Sequence, residues 1–348
     1  MPLDPNIPSA FAAEILSQFA ITSTRPMLGG LSGAKVWRCQ SSLLGPLCLR
    51  QWSPSHPTPQ RLQFMHDALD IARQHVTFIP QLHRDRMGKS FWLNDGCLWE
   101  VTQWMPGEAN YLARPNREKL WSAIDALVTL HSAWFGQLSA EEGEPAVSPT
   151  STSLTATSPS VLQRIEMLSE WLATRDLVEQ VGAAVRGPVE AAACMSTVKM
   201  LHSRGPQLLD ELRHAGEQQV RLQPVLRDIW SDHLLFEGNR VSGIIDFGAM
   251  RLDEPATDLA RLLGSLHPFE FDQRRAAIDY YNAQRPEHPV SAPHVDLLDR
   301  SAALLTALQW LRWLILERRK FPMNTSKLFD RWQTALSRMM GEELIIAT

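Results

Sequence analysis

The sequence predicts an α+β fold of two lobes, a small strand-rich N-lobe over residues 1–105 and a large helical C-lobe over residues 106–348. Three observations predict it. Short apolar runs separated by glycine-bearing turns crowd the first third of the chain. Helical spacing of apolar residues dominates the rest, and one short hairpin flanked by carboxylates interrupts it near residue 234. Strands gathered first and helices after them indicate segregated layers rather than an alternating α/β sheet. A length of 348 residues suits two such bodies.

Met27 to Cys39 reads as strand, glycine-rich turn and strand, with Gly29, Gly30, Ser32 and Gly33 in the turn. Leu47–Trp52 is a further strand, and the proline-bearing stretch from Pro54 to Pro59 breaks the chain. Leu62–Val76 carries Leu62, Met65, Leu69 and Ala72 on one helical face. Asn94-Asp95-Gly96 lies between Phe91-Trp92-Leu93 and Cys97–Thr102, which predicts a hairpin. After Pro106-Gly107 the period changes to that of helices, beginning with Arg117–Trp134. Residues 139–160 are rich in Ser, Thr, Pro and Glu and nearly lack large apolar side chains, so they are expected to form a flexible insertion. Helices resume from Val161 to Ala215 and from Ala256 onward.

Composition excludes several function classes. A net charge of −4 gives no electrostatic basis for nucleic acid or anionic membrane as partner. No apolar run approaches the length of a membrane span, and the N-terminal residues lack the pattern of a signal peptide. The four cysteines, Cys39, Cys48, Cys97 and Cys194, form no CxxC pair and have no zinc-ligand spacing. They are expected to be reduced thiols in a cytoplasmic protein.

The chemistry concentrates between residues 225 and 248. Leu234-Leu235-Phe236 and Val241–Ile245 flank the turn Glu237-Gly238-Asn239-Arg240 and predict a β-hairpin. A hairpin returns the chain to its start, so Asp246 must come near His233, and Asp228 lies in the loop that enters the hairpin. Two carboxylates and a third polar group then converge. Phosphoryl transfer needs that set: one carboxylate for the acceptor hydroxyl, the rest for the metal that bridges the phosphates.

The blocks Val225–Phe236, Gly243–Gly248 and Pro255–Ala260 resemble, in order and spacing, the aminoglycoside phosphotransferase and choline kinase-like family of protein-kinase-like fold. The resemblance implies an ATP-dependent phosphotransferase acting on a hydroxyl of a small molecule such as an aminoglycoside, choline, homoserine or a sugar. It implies Asp228 as catalytic base and Asp246 as a metal ligand, with His233 where the family carries a metal-binding Asn. Asp258 becomes a buried buttress of the catalytic loop. Gly29, Gly30, Ser32 and Gly33 become the loop over the phosphates, and Arg50 the basic residue for the α- and β-phosphates. Gln103, Trp104 and Met105 become the interlobe hinge that meets adenine. The implied cofactors are ATP and magnesium, with manganese as the alternative.

The sequence departs from the family at Leu226 and Arg227, which replace His and Gly, and at His233. Magnesium prefers hard oxygen ligands, and imidazole offers a softer nitrogen. These departures supply the alternative reading, a non-catalytic nucleotide- or ligand-binding member of the same fold. Residues 62–76 hold no glutamate to pair with Arg50, only Asp67 and Asp70. Trp310, Arg312, Trp313, Glu317 and Arg318 are candidates for the wall of the acceptor pocket, with core packing as the alternative.

Overall fold

Strands β1 (Ile21–Met27), β2 (Lys35–Ser41) and β3 (Gly45–Gln51) precede helix α1 (Pro59–Arg73). Strands β4 (Phe91–Asn94) and β5 (Cys97–Gln103) follow, then α2 (Arg117–Trp134) and the short β6 (Thr155–Ala156). Helices α3 (Pro159–Ala173), α4 (Leu177–Ala184) and α5 (Pro188–Gly216) lead to β7 (Val220–Arg221), β8 (Gln223–Val225), β9 (Leu234–Glu237), β10 (Arg240–Ile244) and β11 (Arg251–Asp253). The chain ends in α6 (Ala256–Leu266), α7 (Phe271–Gln284), α8 (Ala292–Trp310) and α9 (Thr325–Met340), with a π-helical turn over Leu311–Leu316. The computed structural model describes residues 7, 16–27, 33–135, 155–266, 270–321 and 324–340. They fall into two units, Met1–Thr150 with Ser231–Arg251, and Ser151–Trp230 with Leu252–Thr348.

The first unit is built on an antiparallel sheet ordered β1-β2-β3-β5-β4. Asp95 and Gly96 both have positive φ, as a two-residue turn matching strand twist requires. Six of the seven residues of β5 are buried, so this inner strand is covered on both faces. On one face Trp37, Leu47, Leu49, Trp99 and Val101 pack with Leu16 and Phe19. Helix α1 begins where Thr58 accepts a hydrogen bond from the Arg61 N–H and Pro59 supplies a helix-ready φ. It buries Leu62, Met65, Ala68 and Leu69, and the Trp134 indole of α2 donates to the Ala68 carbonyl at 2.8 Å. The hairpin β9–β10 belongs to this unit. Glu108 and Phe236 exchange backbone hydrogen bonds, and the Ile244 N–H donates to the Phe78 carbonyl. The first unit thus takes in α2 and the hairpin, both of which the sequence reading assigned beyond residue 105.

The second unit is mostly helical, with two small two-stranded sheets, β6–β7 and β8–β11. Of the stretch expected to be a flexible insertion, residues 139–154 lie outside the described residues. Thr155–Ser160 is folded, which corrects that expectation at its C-terminal end. Hydroxyls supply the anchors that apolar side chains would normally provide. Ser158 caps α3 by accepting from the Val161 N–H and donates to Asp253 Oδ1 at 2.9 Å. The Ser160 and Thr257 hydroxyls lie 2.9 Å apart. Farther on, Asp299 of α8 is buried between Arg274 of α7, at 2.7 Å, and Arg338 of α9. A side chain at Gly264 would collide with this pair, which accounts for a glycine inside α6.

All four cysteines are free thiols. Burial pushes the Cys39 thiol up to about 12 and that of Cys194 to about 11, so both stay protonated and unreactive. No described helix is long and apolar enough to cross a membrane.

Candidate active site

Arg50 projects from β3 opposite Glu100 on β5, its ladder partner. Its Nη1 lies 3.3 Å from Asp246 Oδ1, its Nε lies 3.6 Å from Glu100 Oε1, and its guanidinium covers the Trp52 ring at 4.7 Å. Burial opposes a charge on Arg50, yet Asp246 and Glu100 together hold its pKa above the ordinary value. His66 of α1 completes the cluster. Its Nε2 is 2.7 Å from Glu100 Oε2 and its Nδ1 is 2.7 Å from the Ser90 hydroxyl, with the ring fully buried. Burial raises the Glu100 carboxyl, but His66 and then Arg50 bring it below the usual range. The sequence reading sought an acidic partner for Arg50 on α1. The acid instead stands on the neighbouring strand, and a helix histidine grips it. Asp67 bonds Gln63, and Asp70 pairs with Arg84.

Asp246 follows β10 with φ 65°, a left-handed conformation that Asp tolerates better than most residues. Its Oδ2 lies 3.7 Å from His233 Nε2, and the Ile245 N–H donates to the His233 carbonyl. The hairpin therefore brings His233 and Asp246 together, as its topology requires. Burial raises the Asp246 carboxyl, but Arg50 and then His233 pull it below the ordinary carboxylate value. The residues just after it are held from α1. Arg61 Nη2 donates to the carbonyls of Gly248, at 3.2 Å, and Met250, at 3.3 Å. Gly248 lies against the Trp52 ring, where an added Cβ would sit 3.1 Å from the indole. Close packing, not backbone φ, is what asks for glycine there.

One carboxylate and one imidazole suit a divalent cation carried in by nucleotide phosphates, since magnesium keeps much of its shell as water and phosphate oxygen. They do not make a protein cage. No cluster of three or more His, Cys, Asp or Glu forms a metal site among the described residues.

Of the glycine-rich turn, Gly29, Gly30 and Ser32 lie outside the described residues. Gly33 has φ 76°, a conformation that favours glycine. In the hinge segment the Gln103 N–H donates to the Gln81 carbonyl and the Trp104 N–H to Pro46. Arg38 covers the Trp104 ring at 5.1 Å, and Met105 is buried. Two of the hinge's N–H groups are thus committed to the fold.

Asp228 lies in the second unit, in the loop after β8. Asp258, fully buried on the first turn of α6, accepts the N–H groups of Leu226 at 2.7 Å and Arg227 at 2.6 Å. Leu226 is itself buried, so packing and this carboxylate hold the loop. Arg227 has φ 62°, and this explains why a glycine suits its place. The left-handed residue costs about 1–2 kcal/mol, offset by side-chain contacts to Gln163 and to Asp253, 3.6 Å away. Burial raises the Asp253 carboxyl despite Arg227. The Asp228 carboxylate receives Arg261, whose Nε and Nη2 lie 3.1 and 2.8 Å from Oδ1.

Glu100, His66, Arg61 and Arg261 escaped the sequence reading. A lone Glu within the apolar run of β5 was one available signal, because a buried charge needs a partner. Arg261 stands three residues after Asp258, hence on the same face of α6. The proposed wall residues are occupied otherwise. Trp310 is buried and meets Trp313 edge-on. Arg312 pairs with Glu170 and covers Trp171. Glu317 pairs with Arg319, and Arg318 with Glu190.

The chain is similar to a homoserine kinase of Nitrobacter winogradskyi, with 32% identity over 149 residues. That alignment takes in 41% of this chain and 42% of the relative, so the chain spans well under half of the relative's length. A solved spectinomycin phosphotransferase with ADP and spectinomycin is similar over 93% of this chain and 94% of its own, at TM-score 0.63 and 12% identity. An aminoglycoside phosphotransferase from Alicyclobacillus acidocaldarius is similar over 99% and 95%, at TM-score 0.59 and 17% identity. These likenesses show the bilobal α+β, protein-kinase-like fold. The model of the phosphotransferase enzyme family matches residues 23–294, and the chain belongs to that family.

Proposed function

We propose that this chain transfers the γ-phosphoryl group of ATP to a hydroxyl of a small molecule, with Asp228 as base. The observation that carries the reading is the loop geometry. A buried Asp258 spends both carboxylate oxygens on the two N–H groups just before Asp228. Such a fixed carboxylate suits positioning of an acceptor hydroxyl, the main task left to a protein in phosphoryl transfer. Asp228 takes the hydroxyl proton as the oxygen bonds to the γ-phosphorus. The bond from that phosphorus to its bridging oxygen breaks, and ADP leaves.

The first unit is read as the nucleotide half. Arg50, poised between Asp246 and Glu100, suits the α- and β-phosphates. Gly29, Gly30, Ser32 and Gly33 would cover the phosphates, and the segment Gln103-Trp104-Met105 would meet adenine. Asp246 and His233 would hold magnesium or manganese, which neutralises phosphate charge. ADP in the spectinomycin phosphotransferase complex supports an adenine nucleotide here, and the homoserine kinase likeness supports an alcohol acceptor. Leu226 and His233 leave both carboxylates in place, and no observation favours a non-catalytic role.

The test is ATP consumption against pooled hydroxyl- and amine-bearing metabolites, with magnesium and manganese in parallel. Acceptor-dependent ADP release is expected. Nucleotide binding without any acceptor-dependent turnover would overturn the reading.

A further inference from the structure

A run of polar side chains crosses the first unit from its interior to the candidate site. The Ser90 hydroxyl, just before β4, lies 2.7 Å from His66 Nδ1, and His66 Nε2 lies 2.7 Å from Glu100 Oε2. Glu100 Oε1 faces Arg50 Nε at 3.6 Å, and Arg50 Nη1 reaches Asp246 Oδ1 at 3.3 Å. Ser90, His66 and Glu100 are all buried. The side chains of Arg50 and Asp246 are 16% and 45% exposed, so the run opens at the end where phosphate would lie.

The hydrogen bonds give this run a direction. An ionised carboxylate only accepts, so His66 Nε2 carries the hydrogen it shares with Glu100. The ring is held on its other side by Ser90 and edge-on by Phe91, with ring centres 5.7 Å apart. Phe91 is the ladder partner of Glu100, so the strands that hold the imidazole also hold the carboxylate. With Oε2 taken by His66, Oε1 is left turned toward Arg50.

Stability alone does not ask for this arrangement, because packed apolar residues of similar volume commonly match or better a buried ionic group. Arg50 also has a nearer carboxylate in Asp246. Asp246, however, is the proposed metal ligand, and a cation arriving there competes with the guanidinium for it. Glu100 then remains to anchor Arg50, and it is a fixed anchor only while His66 holds it. The Arg50 Nε–H is buried without a hydrogen-bond partner among the described residues, which leaves it ready for Glu100 Oε1 when Nη1 turns from Asp246.

We propose that His66 is a positioning residue for Arg50: acting through Glu100, it sets the guanidinium against the α- and β-phosphates of the nucleotide. This rests on the phosphotransferase reading of the same site. Because His66 stands on α1, the seating of that helix decides how well the phosphates are held.

The experiment measures ADP and adenosine affinity by calorimetry on the 348-residue chain, with magnesium present. His66→Leu should weaken ADP about tenfold, the size expected for one charge-assisted hydrogen bond, and leave adenosine unaltered. His66→Gln puts an amide N–H where Nε2 stood and should keep most of the parent's ADP affinity. His66→Asn is too short to reach Glu100, keeps only the Ser90 side, and should weaken ADP as His66→Leu does. Arg50→Met should weaken ADP too, and adding His66→Leu to it should cost nothing more, since residues that act through one group are not additive. If His66→Leu does not fold, His66→Gln and His66→Asn, alone and with Arg50→Met, still decide. Equal ADP affinity in His66→Gln and His66→Asn, equal weakening of ADP and adenosine, or losses that add in the double variant would overturn the inference. Phosphoryl transfer is read separately. Coupled losses of ADP affinity without transfer to any acceptor would sink the phosphotransferase reading alone. Transfer with ADP affinity indifferent to His66 would sink this inference alone.

Discussion

Asp228 and His233 are the residues on which the proposed chemistry turns. Asp228→Asn keeps the shape of the side chain and removes its basicity. The expected result is a fall in kcat of about 10²–10⁴, the usual contribution of a general base, with ADP affinity unchanged. A variant as fast as the parent would remove Asp228 from the mechanism. His233 stands 3.7 Å from Asp246 Oδ2, where an imidazole nitrogen replaces the amide oxygen expected from the family pattern. Manganese accepts a nitrogen ligand more readily than magnesium does. The manganese-to-magnesium rate ratio should therefore exceed one, and His233→Asn should lower it. Equal ratios in parent and variant would show that the imidazole bonds only within its loop.

At the scale of elements, β3, β5 and α1 are tied through one buried carboxylate. Glu100 receives Arg50 from one neighbour and His66 from the other. Its folded pKa lies below the ordinary 4.5. A depressed carboxylate contributes stability that is fully present above its unfolded value and is lost as pH falls through the folded value. Glu100→Gln should therefore unfold more easily at neutral pH, by about 1–3 kcal/mol for a broken buried charged hydrogen bond. Its deficit against the parent should close as pH drops below 4.5. Melting temperatures of both proteins across pH 3–7 measure this, and a deficit that does not change with pH would contradict it. The same elements show what sequence could and could not reveal. The β4–β5 hairpin was readable because Asn94-Asp95-Gly96 is a local instruction. The pairing of His66 with Glu100 was not, because it joins residues 34 positions apart through a packing that only the folded sheet and helix define. The carboxylate role of Asp258 was readable by resemblance. The reach of Arg261 to Asp228 was not, since spacing along α6 gives a face but no partner.

For the whole molecule, the decisive fact is that the first unit is discontinuous. It takes Met1–Thr150 and then Ser231–Arg251, with a long excursion of chain between them. The late piece is not a decoration. It contributes the β9–β10 hairpin, whose Val241 N–H donates to the Ser122 hydroxyl and whose Phe236 is buried. A fragment of residues 1–150 should therefore lack cooperative unfolding, and adding residues 231–251 by a short linker should restore it. Circular dichroism melts of the two proteins distinguish the cases. A sharp transition in the shorter fragment would show that the hairpin is dispensable.

The interleaving also bears on how the chain is made. A ribosome delivers sequence in one direction, so the sheet and α2 emerge about a hundred residues before the hairpin that completes their unit. At roughly 5–20 residues per second, the half-built unit waits between about 5 and 20 seconds with the faces meant for Phe236 and Ile244 uncovered. During that interval the nascent chain carries apolar surface that only its own later segment can cover, and it is then that a chaperone would find the most to hold.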